Sequence, residues 1–240
     1  MNTNFYLVVV AGGHGVRMGS SKPKQFLEIG GKPILRHTIE KFKAALPAIK
    51  IVTVLPKEYI EPWKEYCLNV NFSCPQTIVA GGLTRFHSVR NALEKVPDGA
   101  YVAIHDGVRP LLSINMIKSM FFDMEGREAL IPVVPCNDTL KAIKAEKKAD
   151  GKMVYTTIEG EQPDRSKIFC AQTPQIFLSD SIKKAYSQAY DMSFTDDASV
   201  AQKAGIPLDW CSGEKYNVKI TTPDDIVIAS MFLEKGLSII

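Results

Sequence analysis

Hydrophobic positions along the chain follow two alternating rhythms. Phe5–Val10 is an unbroken apolar, β-branched run, and shorter apolar stretches follow at Ile51–Leu55, Gln76–Val79, Tyr101–His105 and Ala129–Val134. Such runs predict strands of a parallel sheet buried on both faces. Between them, apolar residues return at helical spacing. Pro33 can open a helix carrying Ile34, Leu35, Ile39, Phe42 and Leu46. Glu58–Asn69, a segment carrying Val89, Leu93 and Val96, and Ile114–Met124 predict further helices. Strands alternating with helices imply an α/β class with a doubly wound, mostly parallel sheet. Ligands of such sheets bind beyond the carboxyl ends of the strands. The glycines after Val10, the Gly81-Gly82 pair, Ser88 and Asp106 all fall just past predicted strand ends, so they share one edge.

The rhythm changes after Val134. Lys144–Lys152 is polar, and Asp150-Gly151 suits a hairpin turn between strands at Leu140–Ile143 and Met153–Ile158. Periodicity allows either a solvated, lysine-rich loop or a protruding β-hairpin arm that grips a second subunit. Regular material then returns, with a helix predicted over Ser179–Tyr190. Thr195-Asp196-Asp197 reads as the N-terminal cap of a helix running to Ala204. Leu208–Cys211 and Val218–Ile220 read as strands. Thr222-Pro223-Asp224-Asp225 opens a last helix, with Thr as cap, Pro at the first position and an acid at the third. No repeat or linker divides residues 1–240, which read as one domain.

At 240 residues and 45% hydrophobic content, the chain can bury a full core. A net charge of +3 gives no footprint for nucleic acid. The five cysteines are scattered without a C-x-x-C pair, which argues against zinc and disulfide frameworks and for a reducing cytoplasm. No signal peptide or membrane-spanning stretch is apparent, so a cytoplasmic protein with no membrane partner is expected.

The first strand breaks into Ala11-Gly12-Gly13-His14-Gly15, and the cations Arg17, Lys22 and Lys24 follow closely. Glycines let backbone N–H groups approach an anion, and nearby cations fix its charge. This combination predicts a polyphosphate cradle. The P-loop pattern is excluded because no Gly-Lys-Ser/Thr follows the strand. The dinucleotide fingerprint fails because Met18 occupies its last glycine position.

Ala11-Gly12-Gly13-x-Gly15-x-Arg17-Met18 with Pro23-Lys24-Gln25 resembles the signature of nucleotidyltransferases that activate sugar and polyol phosphates. Further stretches are similar, in the same order, to those of the cytidylyltransferase family of the non-mevalonate isoprenoid pathway. They are Gly81-Gly82 with Ser88, His105-Asp106-x-x-Arg109-Pro110, Asp138-Thr139-Leu140-Lys141, Thr173-Pro174-Gln175-x-Phe177, Thr195–Ala198 and Lys219. The resemblance implies a Rossmann-like nucleotidyltransferase fold and transfer of CMP from CTP to 2-C-methyl-D-erythritol 4-phosphate, with Mg²⁺ as cofactor. It also implies a homodimer with shared active sites, built through an arm at about residues 138–170. Enzymes acting on ribitol 5-phosphate share Ala-Gly-Gly and Pro-Lys-Gln-Phe, but Asp138–Lys141, Asp164-Arg165 and Thr195–Ala198 favour the methylerythritol acceptor. A nucleotide binder without turnover is the alternative of another class, and the pair Lys24 and Lys219 argues against it.

Nucleotidyl transfer has an anionic nucleophile already, so it needs cations, N–H donors and a divalent ion rather than a general base. By resemblance, Arg17, Lys24 and Lys219 are the catalytic cations, although spacing alone lets Lys22 exchange roles with Lys24. Ala11, Gly12, Gly13, Gly15, Gly81, Gly82 and Ser88 are expected to bind the nucleotide. Asp106, Arg109, Thr139, Arg165 and Thr195 are expected at the acceptor, with Asp106 also holding the metal. Thr139 and Arg165 are expected to reach the partner's site. Two positions depart from the family: Gly107 where alanine is common, and Leu83 where some relatives carry aspartate.

Overall fold

The computed structural model describes residues 4–13, 23–160 and 163–234. In chain order these form β1 (Phe5–Val10), the ribbon strands β2 (Glu28–Ile29) and β3 (Lys32–Pro33), α1 (Ile34–Ala45), β4 (Lys50–Leu55) and α2 (Ile60–Asn69). Next come β5 (Thr77–Ala80), α3 (Arg85–Leu93), β6 (Tyr101–Asp106), α4 (Ile114–Phe122), β7 (Ala129–Pro135), β8 (Ile143–Lys147) and β9 (Met153–Thr157). The chain ends with β10 (Phe169–Ala171), β11 (Gln175–Leu178), α5 (Ser179–Tyr186), α6 (Asp197–Lys203), β12 (Asp209–Ser212) and α7 (Pro223–Glu234). Strands β5, β4, β1 and β6 lie side by side and parallel. β11 enters antiparallel between β6 and β7, while β10 pairs antiparallel and β12 parallel with β7. The sheet is mixed but mostly parallel, with helices on both faces.

Alternation along β1 builds the two layers. Tyr6 and Val8 pack with Val54, Val89, Ile104 and Ile182 on one face. Leu7 and Val9 pack with Leu35, Ile39, Phe42 and Ile117 on the other. Each such side chain contributes about 1.5–3 kcal/mol relative to exposure. A third, smaller cluster joins Ile29, Ile34, Val108, Ile220 and Ala229 where α7 meets the β2–β3 ribbon.

The structure departs from the sequence expectation in a few places. Val218–Ile220 is not a strand. The Ile220 N–H donates to Val108 O at 3.0 Å, and its side chain fills the third cluster instead of extending the sheet. The hairpin forms, but its first strand is β8, inside the lysine-rich stretch rather than at Leu140–Ile143. All five β8 residues are exposed, so no in–out alternation marked them as a strand. β8 and β9 form a separate two-stranded ribbon with Ile143, Met153 and Tyr155 exposed on it. The helix expected to reach Tyr190 stops at Tyr186, because the N–H and hydroxyl of Ser187 both turn back to the Lys184 carbonyl. β10 and β11 carry three and four residues and were not anticipated. Among the described residues, no helix is long and apolar enough to cross a membrane.

Both expected helix starts are built as read. Asp196 accepts from the Ser199 N–H at 2.9 Å while Ser199 Oγ accepts from the Asp196 N–H, a reciprocal cap on α6. On α7, the Asp225 carboxylate accepts from the N–H groups of Thr221 and Thr222 (2.7 and 2.8 Å) and from the Thr221 hydroxyl. Asp225→Ala should therefore cost about 1–2 kcal/mol in urea unfolding. A midpoint equal to wild type would show that this carboxylate does not hold the α7 start.

Candidate functional site

Backbone hydrogen bonds stitch the carboxyl ends of four strands into one rim. The Ala11 N–H donates to Val54 O at 3.0 Å, Gly81 to Leu55 O at 2.8 Å, and Gly107 to Val10 O at 2.9 Å. These bonds draw the loops after β1, β4, β5 and β6 around a cavity of about 710 Å³. Its walls include Ala11, Gly12, Gly13, Lys24, Gly81, Gly82, Leu83, Arg85, Ser88, Asp106 and Lys219. A concave site at that edge is where a doubly wound sheet binds its ligand.

Gln25 explains why Pro-Lys-Gln belongs beside the glycine loop. Its side chain is fully buried, and Nε2 donates to Ala11 O at 2.7 Å and to Gly13 O at 3.1 Å. That bracket fixes half-buried Lys24 against the described part of the loop. Ser88 sits between two glycine backbones: its Oγ accepts from the Gly82 N–H at 3.0 Å and donates to Thr84 O at 2.9 Å. A Cβ on Gly81 would approach Ser88 Oγ to 3.2 Å, and one on Gly82 would come within 2.5 Å of His87 Cβ. Glycine at position 82 is thus required by the α3 turn packed against it.

Asp106 ends β6 and stands among three cations. Arg109 Nε and Lys219 Nζ reach its Oδ2 at 3.2 and 3.1 Å, and Arg85 Nε stands 3.8 Å from Oδ1. Burial alone would raise this carboxyl, but Arg85, Lys219 and Arg109 together hold it well below the usual carboxylate range. Its own N–H donates to Thr173 Oγ1 at 3.1 Å. Neighbouring His105 has Nε2 3.1 Å from Arg109 O and Nδ1 3.0 Å from Thr173 Oγ1. A carbonyl can only accept, so Nε2 carries the proton and Nδ1 accepts from the threonine hydroxyl. Burial pulls the imidazole down to about 4, which keeps it neutral near pH 7. Arg109 donates through Nη1 to Asn217 O at 2.8 Å, and Asn217 Nδ2 donates to Thr173 O at 2.8 Å. This network anchors the segment that carries Lys219.

A single chain therefore brings together Ala11, Gly12, Gly13, Lys24, Gly81, Gly82, Ser88, Asp106 and Lys219, with Arg109 behind the carboxylate. Thr139 and Arg165 lie exposed near the base of the β8–β9 ribbon, where Arg165 Nη1 donates to Asn137 O at 3.2 Å. Thr195 is exposed just ahead of α6, its N–H donating to Ser199 Oγ. These three do not line the cavity of their own chain. Gly15, Arg17 and Lys22 lie outside the described residues. Sequence reading missed Arg85, Thr173 and Asn217. Arg85 follows Gly81-Gly82-Leu83-Thr84 directly, so its place at a helix start on the ligand edge was the signal available.

Proteins similar to this chain point to one family. The model of one protein family, IspD: 2-C-methyl-D-erythritol 4-phosphate cytidylyltransferase, matches residues 5–235. Two proteins with that name are similar over nearly their whole length. The one from Bacteroides thetaiotaomicron is 40% identical, covering 95% of this chain and 98% of that protein. The one from Porphyromonas gingivalis is 42% identical, covering 97% and 99%. The crystal structure of 2-C-methyl-D-erythritol 4-phosphate cytidylyltransferase from Thermus thermophilus superposes with a TM-score of 0.71 at 26% identity, covering 97% of this chain and 99% of that one.

The glycines of the rim are open to a paired test. Gly82→Ala forces the 2.5 Å approach to His87 and should cost about 1–3 kcal/mol in chemical unfolding. Gly13→Ala meets nothing within 4 Å among the described residues and should be neutral, or stabilising by up to about 1 kcal/mol. Equal effects at the two positions would contradict the packing described for Gly82.

Proposed function

The chain belongs to the 2-C-methyl-D-erythritol 4-phosphate cytidylyltransferase family, and from that premise we propose how its own residues divide the work. The reaction joins the phosphate of 2-C-methyl-D-erythritol 4-phosphate to the α-phosphorus of CTP. It releases pyrophosphate and forms the CDP-methylerythritol intermediate of isoprenoid biosynthesis. The observation that carries the assignment of roles is that Lys24, the glycine rim and the Asp106–Lys219 pair line one cavity.

The attacking phosphate is already an anion, so the protein need not remove a proton. It must bring two polyanions together in line and offset the charge that grows on the α-phosphate. The N–H groups and close backbone of Gly12, Gly13 and Gly15 receive the triphosphate, and Arg17 takes its outer phosphates with a fork of donors. Lys24, held by its neighbour Gln25, meets the α-phosphate. Gly81, Gly82 and Ser88 receive the base, their small size allowing close approach. Lys219, oriented by Asp106, supplies the second catalytic cation, while Asp106, Arg109 and Thr195 hold the acceptor.

Mg²⁺ suits this site in a limited form. Asp106 Oδ2 is taken by Lys219 and Arg109, while Oδ1, 3.8 Å from Arg85 Nε and so beyond hydrogen-bond distance of it, is the hard oxygen that an ion would use. A magnesium ion needs no more than one or two carboxylates when phosphate oxygens complete its shell. When bound, it would neutralise charge on the phosphates.

Homodimerisation is the second part of the proposal. The β8–β9 ribbon exposes Ile143, Met153 and Tyr155, and Thr139 and Arg165 stand at its base away from their own cavity. An arm gripping a second copy would cover those apolar side chains and carry the Thr139 hydroxyl and the Arg165 guanidinium to the partner's acceptor phosphate. A cytoplasmic location accords with these soluble substrates.

Pyrophosphate release with CTP and Mg²⁺ tests the roles. Lys24→Ala should lower kcat/KM for 2-C-methyl-D-erythritol 4-phosphate by about a hundredfold or more with the fold intact, and near-normal turnover would sink its role. Arg165→Ala should raise the acceptor KM far more than that of CTP. At acceptor concentrations well below the raised KM, where each variant alone turns over little, mixing the two should restore about a quarter of wild-type activity, because half the dimers then hold one complete site. No recovery from the mixture would refute site sharing.

A further inference from the structure

Arg85 is the first residue of α3, and from the cavity wall its side chain joins Asp106 to Asp197, two acids that the sequence keeps far apart. Its Nη1 and Nη2 donate to the two carboxylate oxygens of Asp197 at 2.8 and 2.6 Å. Its Nε faces Asp106 Oδ1 at 3.8 Å. Asp197 is fully buried, opens α6 and lies two residues after Thr195. The Tyr186 hydroxyl donates to the same carboxylate at 2.6 Å, so Asp197 cannot swing away from the guanidinium. Burial disfavours the charge on Arg85, but Asp197 and Asp106 more than offset it.

A guanidinium is a rigid planar fork. Once both Nη groups are committed to Asp197, the direction of Nε is fixed, and with it the relation between Asp106 and the corner that carries Thr195. We propose that Arg85 is a positioning residue for the acceptor, holding Asp106 and the Thr195 corner at the separation that a polyol phosphate spans. An ion pair serving only to join α3 to α6 would have no reason to line the cavity or to stand with Nε 3.8 Å from the Asp106 carboxylate. The proposal rests on the acceptor reading of Asp106 and Thr195 given above.

Steady-state kinetics of four variants test it. Arg85→Lys keeps a charge against Asp197 but cannot reach both carboxylates, and should raise the acceptor KM about tenfold or more while the CTP KM stays within about twofold. Tyr186→Phe removes the other donor to Asp197 without touching the bridge, and should lower thermal stability while leaving both KM values within about twofold. Should Arg85→Lys not fold, the paired variant Arg85→Gln with Asp197→Asn, which removes both charges together, gives the same reading. Unchanged constants, or an equal rise in both KM values, would overturn the proposal. Thr195→Val separates the two levels. If it leaves the acceptor KM unmoved, the acceptor reading fails and takes this proposal with it. If it raises that KM while the Arg85 variants do not, the proposal alone fails.

Discussion

The cavity at the sheet edge is organised by a buried carboxylate at the end of one central strand. Leaving Asp106 ionised and unpaired inside the protein would cost several kcal/mol, so its cations are a condition of the fold as well as of the proposed chemistry. They come from three separated places: Arg85 at the start of α3, Arg109 just past β6, and Lys219 ahead of α7. The carboxylate therefore gathers the chain around the cavity. Arg85, Arg109 and Lys219 set against Asp106 and Asp197 leave one positive charge over (three minus two), before Lys24 is counted. A site that stays cationic after satisfying its own acids suits a ligand with several phosphates.

The neutral side of the network matters as much. His105 does not add a fourth cation, because burial keeps it uncharged and its two nitrogens are committed to Arg109 O and the Thr173 hydroxyl. It works as a spacer that fixes Thr173, which in turn receives the Asp106 N–H. Asn217 closes the circuit by binding Thr173 O and accepting from Arg109. In the proposed reaction, long side chains at the cavity wall would supply the charge that the substrate needs, while short polar groups behind it hold those side chains still. Preorganisation of this kind lowers a barrier without any movement during the reaction.

Much of this was legible in the chain. Apolar runs located the parallel strands, and glycines after Val10 and Ala80 with cations near the first located the ligand edge, because both signals are local. The Asp196 and Asp225 caps were legible for the same reason. What escaped is long-range. Arg85 and Asp197 lie 112 positions apart, and nothing in the spacing of either announces the other. β11 is four residues long and inserts antiparallel between two strands already placed, so its pairing is decided by the sheet around it. Val218 and Ile220 had the composition of a strand, but the third apolar cluster offered them burial without a ladder.

The proposed arm follows from the same accounting. An isolated two-stranded ribbon is marginal in water, since its hydrogen bonds barely offset the entropy of ordering it. β8 and β9 form such a ribbon, with Ile143, Met153 and Tyr155 turned to solvent. Apolar side chains kept on a ribbon that lacks a core of its own need burial from outside. In the proposed homodimer a second copy would supply it, and the ribbon would carry Thr139 and Arg165 with it. In that arrangement the acceptor site is complete only where two chains meet, so the free energy that folds the arm also assembles the catalyst.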